Sequence, residues 1–131
     1  MKIVLDTNAF NNSTFLEWLM ESSLEPVTSS IVYMELLYRY ARRKGLPEAK
    51  SKLMAIFDSL GIKVIGFDET CAELAVNSAI GHWDFSKNAR DYMIGALALK
   101  LNVPLITYNK KHFGWLPEVF TPEEAMERFS E

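Results

Sequence analysis

Ile3, Val4 and Leu5 form an unbroken apolar run that ends directly at Asp6, with no turn residue between them. Without polar alternation, such a run predicts a strand covered on both faces, as in a parallel sheet. Phe15, Leu16, Leu19 and Met20 then recur at helical spacing behind the capping side chains of Asn11, Asn12 and Ser13. This helix is expected to stop near Ser22 and Ser23. Residues 25–29 read as a second strand, with Ser29 or Ser30 capping the next helix. Residues 31–44 predict that helix, a long one stopped by Gly45 and Pro47, with Met34, Leu37, Tyr38 and Ala41 as its apolar arc. Glu35, Arg39, Arg42 and Arg43 share one polar stripe on the same helix.

The alternation continues to the end of the chain. Residues 47–60 predict a helix that buries Leu53, Ile56, Phe57 and Leu60, and residues 63–67 a third strand. Asp68 and Glu69 open a further helix, where acids suit the positive end of the helix dipole. Cys71, Leu74, Ala75 and Ser78 are its inward positions, Cys71 as an inert core residue. Residues 81–88 form a loop of mixed chemistry. The helix over 89–101 then carries Asp91 in its first turn, turns Ile94, Leu97, Ala98 and Leu101 to the core, and packs closely at Gly95, Ala96 and Ala98. A fourth strand, 103–106, ends in Thr107, Tyr108 and Asn109. A last strand near 119–120 and a capped helix from Thr121 complete the order.

Strands and helices that alternate in this way imply parallel pairing through right-handed crossovers. The expected fold class is α/β: a single three-layer domain over residues 1–131, with a mostly parallel sheet of four or five strands and helices on both faces. The length of 131 residues suits one domain with a real core. No apolar run approaches the ~18 residues of a membrane span. With one cysteine and no secretion signal, the sequence reads as that of a reduced, cytoplasmic protein. The net charge of −3 argues against coating nucleic acid by bulk charge, which leaves a local basic patch as the route to such a partner.

Candidate chemistry lies at the strand ends, where open parallel sheets bind ligands. Asp6 ends strand one, Glu35 lies just inside the helix after strand two, and Asp91 opens the helix before strand four. Asn109, beyond strand four, adds a neutral oxygen. Taken singly, Asp6 also suits a turn or cap, and Glu35–Arg39 a solvated pair of roughly 0.3–0.5 kcal/mol. Taken together, these acids converge with no lysine or arginine between them. Two carboxylates ~5 Å apart repel by about 3 kcal/mol at an effective dielectric of about 20. A hard divalent cation relieves that repulsion, and all-oxygen ligation points to Mg²⁺ or Mn²⁺. Without the ion, at least one of these carboxylates should titrate above its ordinary value.

The series KIVLDTN (2–8), SSIVYMELLY (29–38), NARDYMIGALAL (88–99) and LITYNKKHF (105–113) resembles the PIN domain family, and within it the VapC-like toxin ribonucleases. The resemblance covers essentially the whole chain. It implies metal-dependent hydrolysis of RNA phosphodiester bonds by an endoribonuclease, with Mg²⁺ or Mn²⁺ held by Asp6, Glu35, Asp91 and Asn109. Thr7 and Asn8 match the polar pair that orders the first acid, and Thr107 supports them from the end of strand four. Arg39, Arg42 and Arg43, extended by Lys110 and Lys111, become a phosphate track for RNA. The implied partners are a cognate antitoxin protein and a second copy of the chain, through Phe10, Phe15, Trp18 and Leu19.

The sequence departs from the family in two places. Asn109 is uncharged, and His112 stands where many relatives carry an acid, with Asp84 as a substitute. His82 and His112 read as surface or packing residues. Three rival readings remain: a stand-alone PIN protein of RNA processing, a non-catalytic RNA- or protein-binding PIN module, and a phosphatase with Asp6 as nucleophile. The last lacks the second acid such enzymes place two residues on, where this chain has Asn8.

Overall fold

Ile3, Val4 and Leu5 are all fully buried. Successive strand residues point to opposite faces, so the strand they form, β1 (Lys2–Leu5), is covered on both sides. The computed structural model describes residues 1–130. Around β1 lie β2 (Glu25–Ser29), β3 (Lys63–Ile65), β4 (Leu105–Ile106) and β5 (Val119–Phe120), in the order β3-β2-β1-β4-β5. Val4 pairs with Val27 on one side and Leu105 on the other. Every pairing is parallel, so the expected mostly parallel sheet is wholly so, with five strands.

The helices among the described residues are α1 (Ser13–Glu21), α2 (Ser30–Lys44), α3 (Leu46–Leu60), α4 (Glu69–Ala79), α5 (Phe85–Leu101) and α6 (Pro122–Arg128). Strand order runs outward from β1 to β3, then returns to β4 and β5 on the other side. Right-handed crossovers therefore put α1–α3 on one face and α4–α5 on the other. The direction of winding reverses between β1 and β4, so the crevice beyond their carboxyl ends is the switch point. Local side chains set the helix starts. Asn12 accepts from the Phe15 N–H, Ser29 from the Ile31 N–H, and Asp68 from the Cys71 N–H, while Thr121 and Glu124 close a capping box. Gly61, with φ of 68°, ends α3 in the left-handed conformation.

Several expectations need correction. Met34 and Tyr38 are 58% and 69% exposed, and the buried residues of α2 are Val32 and Leu36. Apolar residues occur all round this helix, so periodicity alone left its phase open. Met20 also faces out. The third strand stops at Ile65, two residues early, and the fourth begins only at Leu105. The expected loop over 81–88 is shorter, because α5 begins at Phe85 and breaks its helical geometry at Asn88. Phe15 and Leu19 lie in the core, Phe10 stacks on Phe57 at 5.6 Å, and Phe15 stacks on Trp18 at 5.8 Å. That aromatic set is therefore mostly satisfied inside the domain. The Cys71 thiol is buried, as expected, and burial pushes its pKa up.

Close packing at Gly95 is borne out. A Cβ there would lie 2.4 Å from Cη2 of Trp115, whose ring also packs on Tyr92 at 5.1 Å between centroids. Gly95→Ala should therefore destabilise the fold by about 1–3 kcal/mol, the usual cost of overpacking. Urea unfolding checks this. Adding Trp115→Leu should cost the Gly95→Ala protein less than it costs the wild type.

Candidate active site

Asp6 leaves β1 at the switch point with none of its surface exposed. Its Oδ1 accepts from the Thr7 N–H at 2.7 Å and caps a short 3-10 turn, Thr7–Asn11. Its Oδ2 accepts from the Thr107 hydroxyl at 2.7 Å, just beyond β4. That hydroxyl accepts in turn from the Asn109 N–H at 3.0 Å and Asn8 Nδ2 at 3.3 Å, while the Tyr108 N–H donates to Asn8 Oδ1 at 3.1 Å. Asn8, Thr107 and the backbone after it thus stitch the ends of β1 and β4 around one buried carboxylate. Thr7 turns the other way and donates its hydroxyl to Glu35 on α2. Asp91, nearly buried, enters from α5.

The three acids do converge, but the expectation that no cation lies between them is overturned. The Arg90 guanidinium occupies their common centre. Its Nη2 lies 2.9 Å from Asp6 Oδ1 and 2.8 Å from Glu35 Oε1, its Nε 2.5 Å from Glu35 Oε2, and its Nη1 2.9 Å from Asp91 Oδ1. Nη2 also donates to Thr7 Oγ1 at 3.2 Å. Adjacent helix residues do not face each other, so the pairing of Arg90 with Asp91 depends on the reach of the arginine arm. The clue in the sequence was an arginine directly before the candidate acid in a helix whose other faces are mostly small or apolar.

At Glu35 the direction is opposite to the upward shift expected of a clustered acid. Burial alone would raise the Glu35 pKa, but the hydrogen bonds from Arg90 and Thr7, with the charges of Arg90 and Arg39, hold it below its ordinary value. Burial likewise opposes the charge on Arg90, and Glu35 and Asp6 outweigh it, so the guanidinium binds its proton more firmly than usual.

The remaining candidates divide. His112 Nδ1 lies 3.3 Å from Asp91 Oδ2, an ion pair when the imidazole is protonated. The Asn109 side chain is exposed, and it is the backbone N–H that ties this residue to the cluster. Asp84 is held elsewhere, by the Tyr92 hydroxyl at 2.7 Å and Asn88 Nδ2 at 2.9 Å. The Tyr92 bond holds the Asp84 carboxyl below its usual range, while burial and Asp84 push the Tyr92 hydroxyl up to about 12. Arg39 and Arg42 line an open groove of about 550 Å³ with Met34, Glu35 and Tyr38. Arg43 leaves the expected stripe and lines a separate groove with Tyr40 and Glu48. Eight residues on from Glu35, it lies about 80° round the helix from that side chain. Lys110 is bound to Glu124 at 2.8 Å, and Lys111 is exposed.

A family model for the PIN domain matches residues 3–114. The chain belongs to the PIN domain family. Solved structures agree on the fold. The VapBC-1 structure of nontypeable Haemophilus influenzae superposes with a TM-score of 0.71 at 20% identity, covering 94% of this chain and 99% of the other. A toxin–antitoxin complex from Klebsiella pneumoniae gives 0.69 at 24% identity, over 92% and 97% of the two chains. FitAcB from Neisseria gonorrhoeae gives 0.68 at 22%, over 92% and 98%. None of the curated proteins matches the sequence.

In this PIN domain the candidate donors are hard oxygens, and the chemistry of the set fits a hard divalent ion. The spacing fits the guanidinium. Among the described residues, no group of three or more His, Cys, Asp or Glu side chains is placed to hold an ion as it stands. No helix among them is long and apolar enough to cross a membrane.

The lowered Glu35 pKa has a definite consequence for acid stability. A carboxylate held below its unfolded value, ordinarily near 4.5, stabilises the fold fully above that pH. The contribution is lost as pH falls through the lower folded value. Urea unfolding from about pH 7 to about pH 3 should therefore show a shallower acid loss in Glu35→Gln than in the wild type. Residual slope is expected from Asp68, which its bond to Lys100 lowers to about 2, and from Glu124, lowered by Lys110.

Proposed function

We propose that this PIN domain is a metal-dependent endoribonuclease and the toxin of a toxin–antitoxin pair. The observation that carries the reading is the meeting of Asp6, Glu35 and Asp91 on one cationic point at the switch-point crevice. Likeness to a toxin–antitoxin complex from Klebsiella pneumoniae supports the partner class, a cognate antitoxin protein. Mg²⁺ or Mn²⁺ is the proposed cofactor, held by Asp6, Glu35 and Asp91, with Asn109 offering a neutral fourth oxygen. When bound, such an ion acidifies water and offsets the charge that builds on the phosphate during hydrolysis.

The chain's own residues do the positioning. The Thr7 N–H and the Thr107 hydroxyl fix both oxygens of Asp6, so the buried carboxyl group stays aimed. The Thr7 hydroxyl orients Glu35. Arg39 and Arg42, beside Glu35 in the groove, would meet RNA phosphates locally where the net charge of −3 repels them. Arg43 and Lys110, turned elsewhere or engaged, contribute less than Lys111.

A second reading is favoured by Arg90 itself. With the acids already neutralised in part, a PIN module that binds RNA or protein without cleaving it would need no ion. Purified protein with single-stranded RNA separates the two. Cleavage should require Mg²⁺ or Mn²⁺ and stop in EDTA. Asp6→Asn, Glu35→Gln and Asp91→Asn should each lower it roughly 100-fold or more. Full cleavage by the triple variant would assign the activity to a contaminant and sink the nuclease reading. A small neighbouring reading frame with a DNA-binding head would favour the toxin over an RNA-processing role.

A homodimer is the proposed assembly. With Phe15 and Leu19 buried, its support is the exposed apolar set Ile80, Trp83 and Phe85, at 70%, 92% and 42% exposure. Sedimentation should show a dimer at tens of micromolar, and a monomer throughout that range would overturn it.

A further inference from the structure

Asp6 has no access to solvent, so without an ion its carboxylate must find compensation within the protein. Arg90 supplies it and commits nearly its whole hydrogen-bonding capacity in doing so. Nε serves Glu35, Nη1 serves Asp91, and Nη2 serves Asp6, Glu35 and Thr7. Oxygens from all three acids face this one group at 2.5–2.9 Å. A divalent ion held by those oxygens would share them with the guanidinium at close range. The two cations would repel each other and compete for the same carboxylate oxygens.

We propose that Arg90 is a built-in occupant of the cation site. Its guanidinium holds the acids together in the metal-free protein and leaves them when a divalent ion binds. This rests on the nuclease reading and deepens it, because metal affinity becomes the outcome of a competition within the chain. A way out exists. The Arg90 side chain is 36% exposed, and it stands two residues beyond the break in helical geometry at Asn88. The head can therefore swing to the rim without disturbing a strand. Ion binding must break five donor contacts, so the apparent affinity is lowered by the preference for the arginine-bound form.

Direct Mn²⁺ binding to the full chain, followed by the EPR signal of the free ion, tests the competition without reference to activity. Arg90→Gln should bind Mn²⁺ roughly tenfold tighter than the wild type, with Arg90→Lys between them because an ammonium cannot bridge three carboxylates. Equal or weaker binding by Arg90→Gln, with the wild type binding, would overturn the proposal and leave the nuclease reading standing. Binding by Asp6→Asn as tight as that of the wild type would instead remove these acids as the metal site and overturn both. Absence of binding in wild type and Arg90→Gln alike would do the same.

A measurement on the unaltered protein guards against misfolded variants. The Arg90 Nε–H resonance should be protected from exchange without metal and should lose that protection as Mg²⁺ saturates. If it keeps its protection while the carboxylate carbons of Asp6 and Asp91 report a bound ion, arginine and ion share the site and displacement is wrong.

Discussion

A carboxylate with no solvent contact must be met by donors or by a positive charge, and the architecture around Asp6 answers to that requirement. β1 is covered on both faces, so the residue that ends it cannot turn to water. The Thr7 N–H follows directly from the 3-10 turn that Asp6 caps, and requires no further element of the chain. The Thr107 hydroxyl needs β4 to lie beside β1 in a particular register, with Leu5 opposite Ile106. Arg90 needs α5 to cross back over the sheet and begin its regular turns near the same strand ends. Three separate parts of the chain therefore have to agree before this one charge is tolerable.

The features legible in the sequence are those decided by neighbours along the chain. The uninterrupted run at Ile3–Leu5, the caps at Asn12, Ser29, Asp68 and Thr121, and the stop at Gly61 each act within a few residues, and each lies where the pattern indicates. The convergence of Asp6, Glu35 and Asp91 was also legible, because strand order in a doubly wound sheet places their elements at one crevice. The phase of α2 was not. Ile31, Val32, Tyr33, Met34, Leu36, Leu37 and Tyr38 surround that helix with apolar groups, and only packing against the sheet and the neighbouring helices selects Val32 and Leu36 for burial.

Arg90 was hidden for a different reason. Its partners come from β1, α2 and its own helix, so their meeting is a tertiary fact that no single stretch contains. Lys110 repeats the lesson on the surface. In sequence it sits among basic residues that suggest a track for phosphate, while in the fold Glu124 of α6 engages it. Charge read along a chain is an inventory. What each charge does depends on which opposite charge the fold delivers to it.

The same reasoning bears on the neutral fourth position. Three carboxylates against one guanidinium leave two negative charges within the cluster, and His112 beside Asp91 relieves them further only when protonated. The exposed side chain at 109 brings no further charge to them. Asn109 instead sends its backbone N–H to Thr107 and leaves its amide in solvent. On the proposed reading, a neutral residue at 109 and the guanidinium of Arg90 act in the same direction. A site with fewer negative charges is one that a single internal cation can hold closed, and that one divalent ion suffices to open.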